Sequence, residues 1–256
     1  MSIIGIIPAR FSSTRLMGKP LASIGGKPMI QHTYESASKS KLINRIIVAV
    51  DDHRVYQAVE KFGGDVLMTP STISTGSDRI AYVASKLSTV DIIVNIQGDE
   101  PFIDGRMIDQ AIEPLLFDKK ITVSTLIKRI TTPAELKNPS VVKVVFDSEN
   151  FALYFSRSPI PFSRDGQTFL QRFQNGEYYK HIGLYVYRTK ALERFTNLQP
   201  TFLENLEKLE QLRMLENRIP IKVVETEYES FSVDTPEDLD KARAIYKRIK
   251  SGKYND

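Results

Sequence analysis

The sequence predicts an α/β protein, with a mostly parallel central sheet and helices on both faces, and three observations carry that prediction. Apolar runs of strand length recur after helical segments at intervals that suit βαβ units. The first run places Ile3, Ile4, Ile6 and Ile7 together without alternation, as a strand covered on both faces does. Polar, charged loops follow the runs, and in open α/β sheets ligands collect at the carboxyl ends of strands. At 256 residues the chain can bury an ample core, and one domain over 1–256 is expected. An elaboration at about 125–200 breaks the pattern of the rest.

Taken in order, the first strand is expected to stop at Pro8 and release a loop that carries Arg10, Arg15 and Lys19, with Ser12, Ser13 and Gly18 between them. Three fixed positive charges so close together repel one another unless a polyanion gathers them, and a triphosphate is the commonest small one. The other reading of the loop is a solvated stretch with scattered charges. Asn44 to Val50 forms the next strand, with Asp51 and Asp52 at its carboxyl end. A helix from about Arg54 to Phe62 stops at Gly63-Gly64, ahead of a short strand from Asp65 to Met68. Ser74 to Arg79 opens a helix running to about Leu87. The buried strand Ile92 to Ile96 delivers Gln97, Gly98, Asp99 and Glu100 to its end.

Residues 141 to 156 alternate around an Asp-Ser-Glu-Asn turn and predict an antiparallel hairpin, followed by a proline-punctuated stretch and an aromatic strand at 181–188. A helix is expected from about Phe202 to Arg218. On it Leu203, Leu206, Glu210 and Met214 would share one face, which sets a carboxylate in an apolar stripe. A strand, IPIKVVETE, precedes the final helix. Thr235 suits that helix's N-cap, Pro236 its first position and Asp238 a capping box.

Composition narrows the chemistry. Lys and Arg total 35 against 31 for Asp and Glu, a net +4 too modest to signal a nucleic-acid partner. The absence of cysteine excludes disulfides, thiolate catalysis and Cys-ligated zinc, and with only three histidines any metal must be held mainly by oxygen. No leader and no membrane-length apolar run is seen, so a cytoplasmic protein without a membrane partner is expected. Neither G-x-G-x-x-G nor G-x-x-x-x-G-K-[ST] occurs, which argues against a dinucleotide oxidoreductase and a P-loop ATPase. No G-x-S-x-G elbow supports a serine hydrolase.

Two acids stand out. Asp99 ends a buried strand, and Asp234 lies just before a helix cap that accounts for 235–238 but not for Asp234 itself. If both approach a basic phosphate loop they repel each other, and a magnesium ion between them removes that cost while neutralising substrate phosphate. As alternatives, Asp99 is a turn residue and Asp234 a helix-flanking acid.

The ordered series IIPARFSSTRLMGKPL, STGSDRI, NIQGDEP, NPSVVKVVFD with ALYFSRSPIP, KHIGLYVYR, LEQLRMLE and SVDTPEDL resembles the 3-deoxy-manno-octulosonate (Kdo) cytidylyltransferase family from about residue 2 to 245. The resemblance implies a Rossmann-like nucleotidyltransferase with a smaller antiparallel dimerisation elaboration, a homodimer, and the Mg2+-dependent reaction of CTP with Kdo to give CMP-Kdo and pyrophosphate for lipopolysaccharide. It assigns Arg10, Ser13, Arg15, Lys19, Ser77, Arg79, Gln97 and Gly98 to the nucleotide, and Asp99 and Asp234 to the metal. Arg157, His181, Tyr185, Glu210 and Gln211, with Gln97, fall to the sugar acid. Arg15 and Lys19 would stabilise charge growing on the leaving pyrophosphate. His181 is expected to bind the sugar rather than act as a base. Met17 stands where many relatives carry proline. Sialic acid or 8-amino-Kdo is the nearest alternative acceptor. A metal-dependent glycosyltransferase would want an Asp-x-Asp, which Gly98-Asp99-Glu100-Pro101 is not, and a silent nucleotide-binding regulator would not need Asp99, Asp234 and Lys19.

Overall fold

Ile3 to Ala9 forms strand β1, the centre of a parallel array whose neighbours come from later in the chain. The structure, a computed structural model, describes residues 1–12 and 16–251. The chain divides into two units, Met1–Asp109 with Tyr228–Asp256, and Gln110–Glu227.

In the first unit β1 is followed by a 3-10 turn at Lys19–Leu21, a two-stranded ribbon of β2 (Ser23–Ile24) and β3 (Lys27–Pro28), and helix α1 (Met29–Ala37). Then come β4 (Arg45–Val50), α2 (His53–Lys61), β5 (Val66–Met68), α3 (Gly76–Ala84) and β6 (Ile92–Asn95). The strands lie in the order β6, β1, β4, β5, all parallel. Each is an apolar run; Ile6, Ile7, Val48, Val50, Ile92 and Val94 are fully buried, as strands covered on both faces must be.

Pro8 does not end β1. Ile6 is the last residue paired with β6, and its carbonyl accepts from Ile96. Pro8 shares the parity of Ile6, so its missing N–H falls on the side where β6 has already ended and removes no ladder bond. The strand continues to Ala9 against Val50. Helix α2 starts one residue before the expected position because the Asp52 side chain caps it, accepting from the Arg54 N–H. Gly63, at φ +77°, stops the chain after it.

Helix α4 (Gly105–Phe117) leads into the second unit, with β7 (Val123–Arg129), α5 (Pro133–Lys137), β8 (Lys143–Phe146) and β9 (Ala152–Ser156). Next are α6 (Phe169–Gln174), β10 (Tyr179–Arg188), α7 (Thr189–Thr196), α8 (Phe202–Glu207), α9 (Gln211–Glu216) and β11 (Lys222–Glu225). β11 pairs parallel with β7; β7 with β10, β10 with β8 and β8 with β9 are antiparallel. The hairpin read at 141–156 is β8 and β9. This unit contains the region 125–200.

The helix expected from Phe202 to Arg218 is instead two. Lys208 adopts left-handed backbone at φ 54°, and α9 restarts after Glu210. Arg157 secures the break. Its Nε donates to the Glu207 carbonyl at 2.8 Å and its Nη2 to that of Lys208 at 3.4 Å, taking acceptors that a continuing helix would use. The Glu207 carboxylate is held in turn by Ser156 and the Arg157 N–H. The apolar stripe disappears with the helix: Leu206 is exposed, whereas Met214 is buried.

The chain then returns to the first unit through 228–235 to α10 (Pro236–Lys250), whose Thr235 and Asp238 form the capping box. Val233, Leu239 and Ala242 pack with Ile24 and Met29 in one buried cluster. That cluster seats Val233, and so fixes the neighbouring Asp234.

Candidate active site

Two loops and one side chain define the centre of the site. After β6 the chain turns through Gln97-Gly98-Asp99, and the Asp99 carbonyl accepts from the N–H of Val233, which ties this loop to the segment before α10 at 2.9 Å. Gly98 permits a close crossing: a Cβ there would lie 2.6 Å from the carbonyl oxygen of Pro8. Across these loops Lys19 Nζ donates to Asp99 Oδ2 at 2.6 Å and to Asp234 Oδ1 at 3.0 Å. The two oxygens are therefore at most 5.6 Å apart, the sum of those distances. Acids 135 positions apart in sequence thus meet on one ammonium. Burial works against the Lys19 charge, but Asp99 and then Asp234 outweigh it and hold the ammonium above its ordinary pKa.

Glu100, beside them, is buried at 5 % exposure. Burial first, and the Asp99 charge second, push its carboxyl up to about 7, while a hydrogen bond from Ser230 pulls the other way. Sequence reasoning left Glu100 unassigned. Its position after Asp99 was visible, but its enclosure was not.

On the other side of β1, Arg10 Nη2 donates to the Ile73 carbonyl at 3.0 Å. Ser13 and Arg15, both assigned to the nucleotide, lie outside the described residues. Gly18 donates its N–H to the Phe11 carbonyl at 3.1 Å. Ser77 is buried in the first turn of α3, which Thr75 caps. Arg79 is fully enclosed, with bonds to Thr69, Asp51 and the Ile73 carbonyl, so its guanidinium supports this part of the site from beneath rather than offering atoms at a surface.

The residues assigned to the sugar acid other than Gln97 belong to the second unit. His181 sits on β10, its Nε2 2.9 Å from Thr125 Oγ1 and its ring edge-on to Phe155. Burial pushes its imidazole down to about 3, so it is neutral in ordinary buffers. Tyr185 lies next to it at 5.2 Å between ring centres. Burial, then the Tyr187 and Glu210 charges, raise the Tyr185 hydroxyl well above its usual pKa. Gln211 is buried, and Glu210 precedes α9. Arg157 is engaged with backbone: besides Glu207 and Lys208 it donates to the Pro139 carbonyl at 3.0 Å. Nearby, Lys143 is buried with its ammonium on the carbonyls of Asn138, Val141 and Arg157.

Among the described residues no three His, Cys, Asp or Glu side chains form a metal cluster. Asp99 and Asp234 supply two hard oxygen donors, partly exposed at 24 % and 35 %, which fits an ion that keeps water and shares substrate phosphate.

A family model described as Cytidylyltransferase matches residues 4–223. A 3-deoxy-manno-octulosonate cytidylyltransferase of Pelobacter propionicus is 54 % identical over 255 residues, covering 98 % of this chain and all of that one. The chain belongs to the 3-deoxy-manno-octulosonate cytidylyltransferase family. A second member of that family, from Geotalea uraniireducens, is 53 % identical over 98 % of the chain and all of its own length. A solved structure of CMP:2-keto-3-deoxy-manno-octonic acid synthetase complexed with CTP superposes with a TM-score of 0.91 at 41 % identity, covering 97 % of this chain and all of that one. A cytidylyltransferase from Leptospira borgpetersenii, at 17 % identity and a TM-score of 0.65 over 100 % of this chain and 90 % of that one, shares the fold.

Proposed function

We infer that the chain transfers a cytidylyl group from CTP to Kdo, giving CMP-Kdo and pyrophosphate, and that it does so with Mg2+ on Asp99 and Asp234. The anomeric hydroxyl of Kdo attacks the α-phosphorus of CTP, a new P–O bond forms, and the bond to the β-phosphate oxygen breaks. No protein nucleophile is needed, so a cysteine-free chain is equal to the task; positioning and charge stabilisation do the work.

Lys19 and Arg10 bring positive charge to the triphosphate, with Arg15 in the same loop, and Lys19 and Arg15 stabilise charge on the departing pyrophosphate. Asp99 and Asp234 would hold the magnesium ion, which supplies neutralisation of phosphate charge when bound. Ser77, Gln97 and Gly98 complete the nucleotide side. Arg157, His181, Tyr185, Glu210 and Gln211 of the second unit take the sugar acid. His181, with a pKa of about 3, is too weak a base to remove a hydroxyl proton at neutral pH and serves as a hydrogen-bonding group. The reading places the enzyme in the cytoplasm as a homodimer, supplying activated Kdo for lipopolysaccharide. No helix among the described residues is long and apolar enough to cross a membrane.

The observation that carries the proposal is the meeting of Asp99 and Asp234 on Lys19. A pyrophosphate-release assay with the four nucleoside triphosphates, with and without Kdo and magnesium, tests it. Release only with CTP, Kdo and magnesium together is expected. Equal release without magnesium would remove the metal, and equal rates with sialic acid or 8-amino-Kdo would widen the acceptor.

A further inference from the structure

We propose that Asp51 is a positioning residue for the nucleotide side of the site, holding Arg10 and the base of the basic loop in place without touching substrate. Its carboxylate stands at the carboxyl end of β4 and faces two ways. Oδ1 accepts from the Phe11 N–H at 3.0 Å, and Oδ2 accepts from Arg79 Nη2 at 3.2 Å. Phe11 is the residue next to Arg10, and its carbonyl takes the Gly18 N–H at 3.1 Å, so Asp51 holds the point where the loop closes. Arg79 Nη2 also donates to the Ile73 carbonyl at 3.2 Å, the same oxygen that takes Arg10 Nη2 at 3.0 Å. Two guanidinium groups thus converge on one carbonyl.

Like charges so placed repel unless a counter-ion offsets one of them. Asp51, at 12 % exposure against Arg79 at 0 %, neutralises the inner guanidinium and leaves the outer one, Arg10, for an anionic ligand. Thr69 fixes Arg79 from behind: its hydroxyl accepts from Arg79 Nη1 and donates to the Val50 carbonyl at 2.8 Å. The inference rests on the reading of Arg10 as a nucleotide ligand.

Simple electrostatics and positioning predict opposite results for Asp51→Asn. Removing a negative charge near a triphosphate should tighten CTP binding; loosening Arg10 and Phe11 should weaken it. We expect weakening, with the KM for CTP and the calorimetric Kd for CTP both rising roughly tenfold, about one charge-assisted hydrogen bond. The KM for Kdo should stay within about twofold, and Asp51→Glu should recover part of the loss. Thr69→Val, which removes the rear anchor without altering charge, should give the same split and carries the test if Asp51→Asn does not fold. Unchanged or tighter CTP binding in a folded Asp51→Asn, or unchanged CTP binding in Thr69→Val, overturns the proposal. Calorimetry separates this result from the transfer reaction: CTP affinity reports on Asp51 even if wild-type protein releases no pyrophosphate with Kdo.

Discussion

At the scale of single residues, the site is defined by which charges are compensated and which are left over. Asp99→Asn and Asp234→Asn should each lower turnover by roughly 10² to 10³, the range seen when a preorganised charge contact is removed, and should flatten the response to added magnesium. Initial rates across a magnesium titration check both, and a variant with near-normal magnesium-dependent turnover would clear that acid of the role. His181 gives a prediction about pH. Its imidazole titrates near 3 in the folded chain against an ordinary 6.5, with burial as the cause. Between those values the unfolded chain binds a proton that the folded chain refuses, so His181 contributes stability above pH 6.5 and loses it progressively as pH falls towards 3. His181→Gln should therefore show a shallower fall in melting temperature between pH 6.5 and 4 than wild type. It should also leave the kcat profile without a missing limb near 6.5, while raising the KM for Kdo.

At the scale of elements, close crossings and helix ends set the geometry. Gly98→Ala would drive a Cβ to 2.6 Å from the Pro8 carbonyl oxygen, which is backbone and has little room to yield. A loss of about 1–3 kcal/mol is expected, together with weaker CTP binding, because the loop carrying Asp99 must shift. Thermal melting read beside the KM for CTP checks it. The strands were legible because burial on both faces leaves an unbroken apolar run, as in Ile46 to Val50. The caps at Thr75 and Thr235 were legible because their chemistry is local. The break at Lys208 was hidden, since the side chain that takes the carbonyls there, Arg157, lies about fifty positions away. The acids of the site could be picked out at a strand end and before a cap. That Lys19 would join them could not, because those contacts span 80 and 215 positions and depend on the packing of Val233 with Leu239 and Ala242. Asp51 and Glu100 were visible only as acids after strands; their partners come from folding.

At the scale of the whole molecule, substrate and stability are linked. CTP held at about 100 times its Kd should add about 2.7 kcal/mol, which for a chain of this size is a rise of roughly 5–10 °C in melting temperature. A differential scan with CTP, set against one with the other nucleoside triphosphates, checks this; equal rises with all four would deny base selection at the binding step. The ammonium that Lys19 lodges between Asp99 and Asp234 reaches further than the chemistry. Where an ion draws acids together, stripping the ion scatters them. Here the polypeptide supplies its own counter-charge, so the acids are held together without an ion, and chelator-treated protein free of nucleotide should still melt cooperatively. A divalent ion reaching both acids would have to displace that lysine, as on a resin already loaded, and the freed ammonium would be available to phosphate.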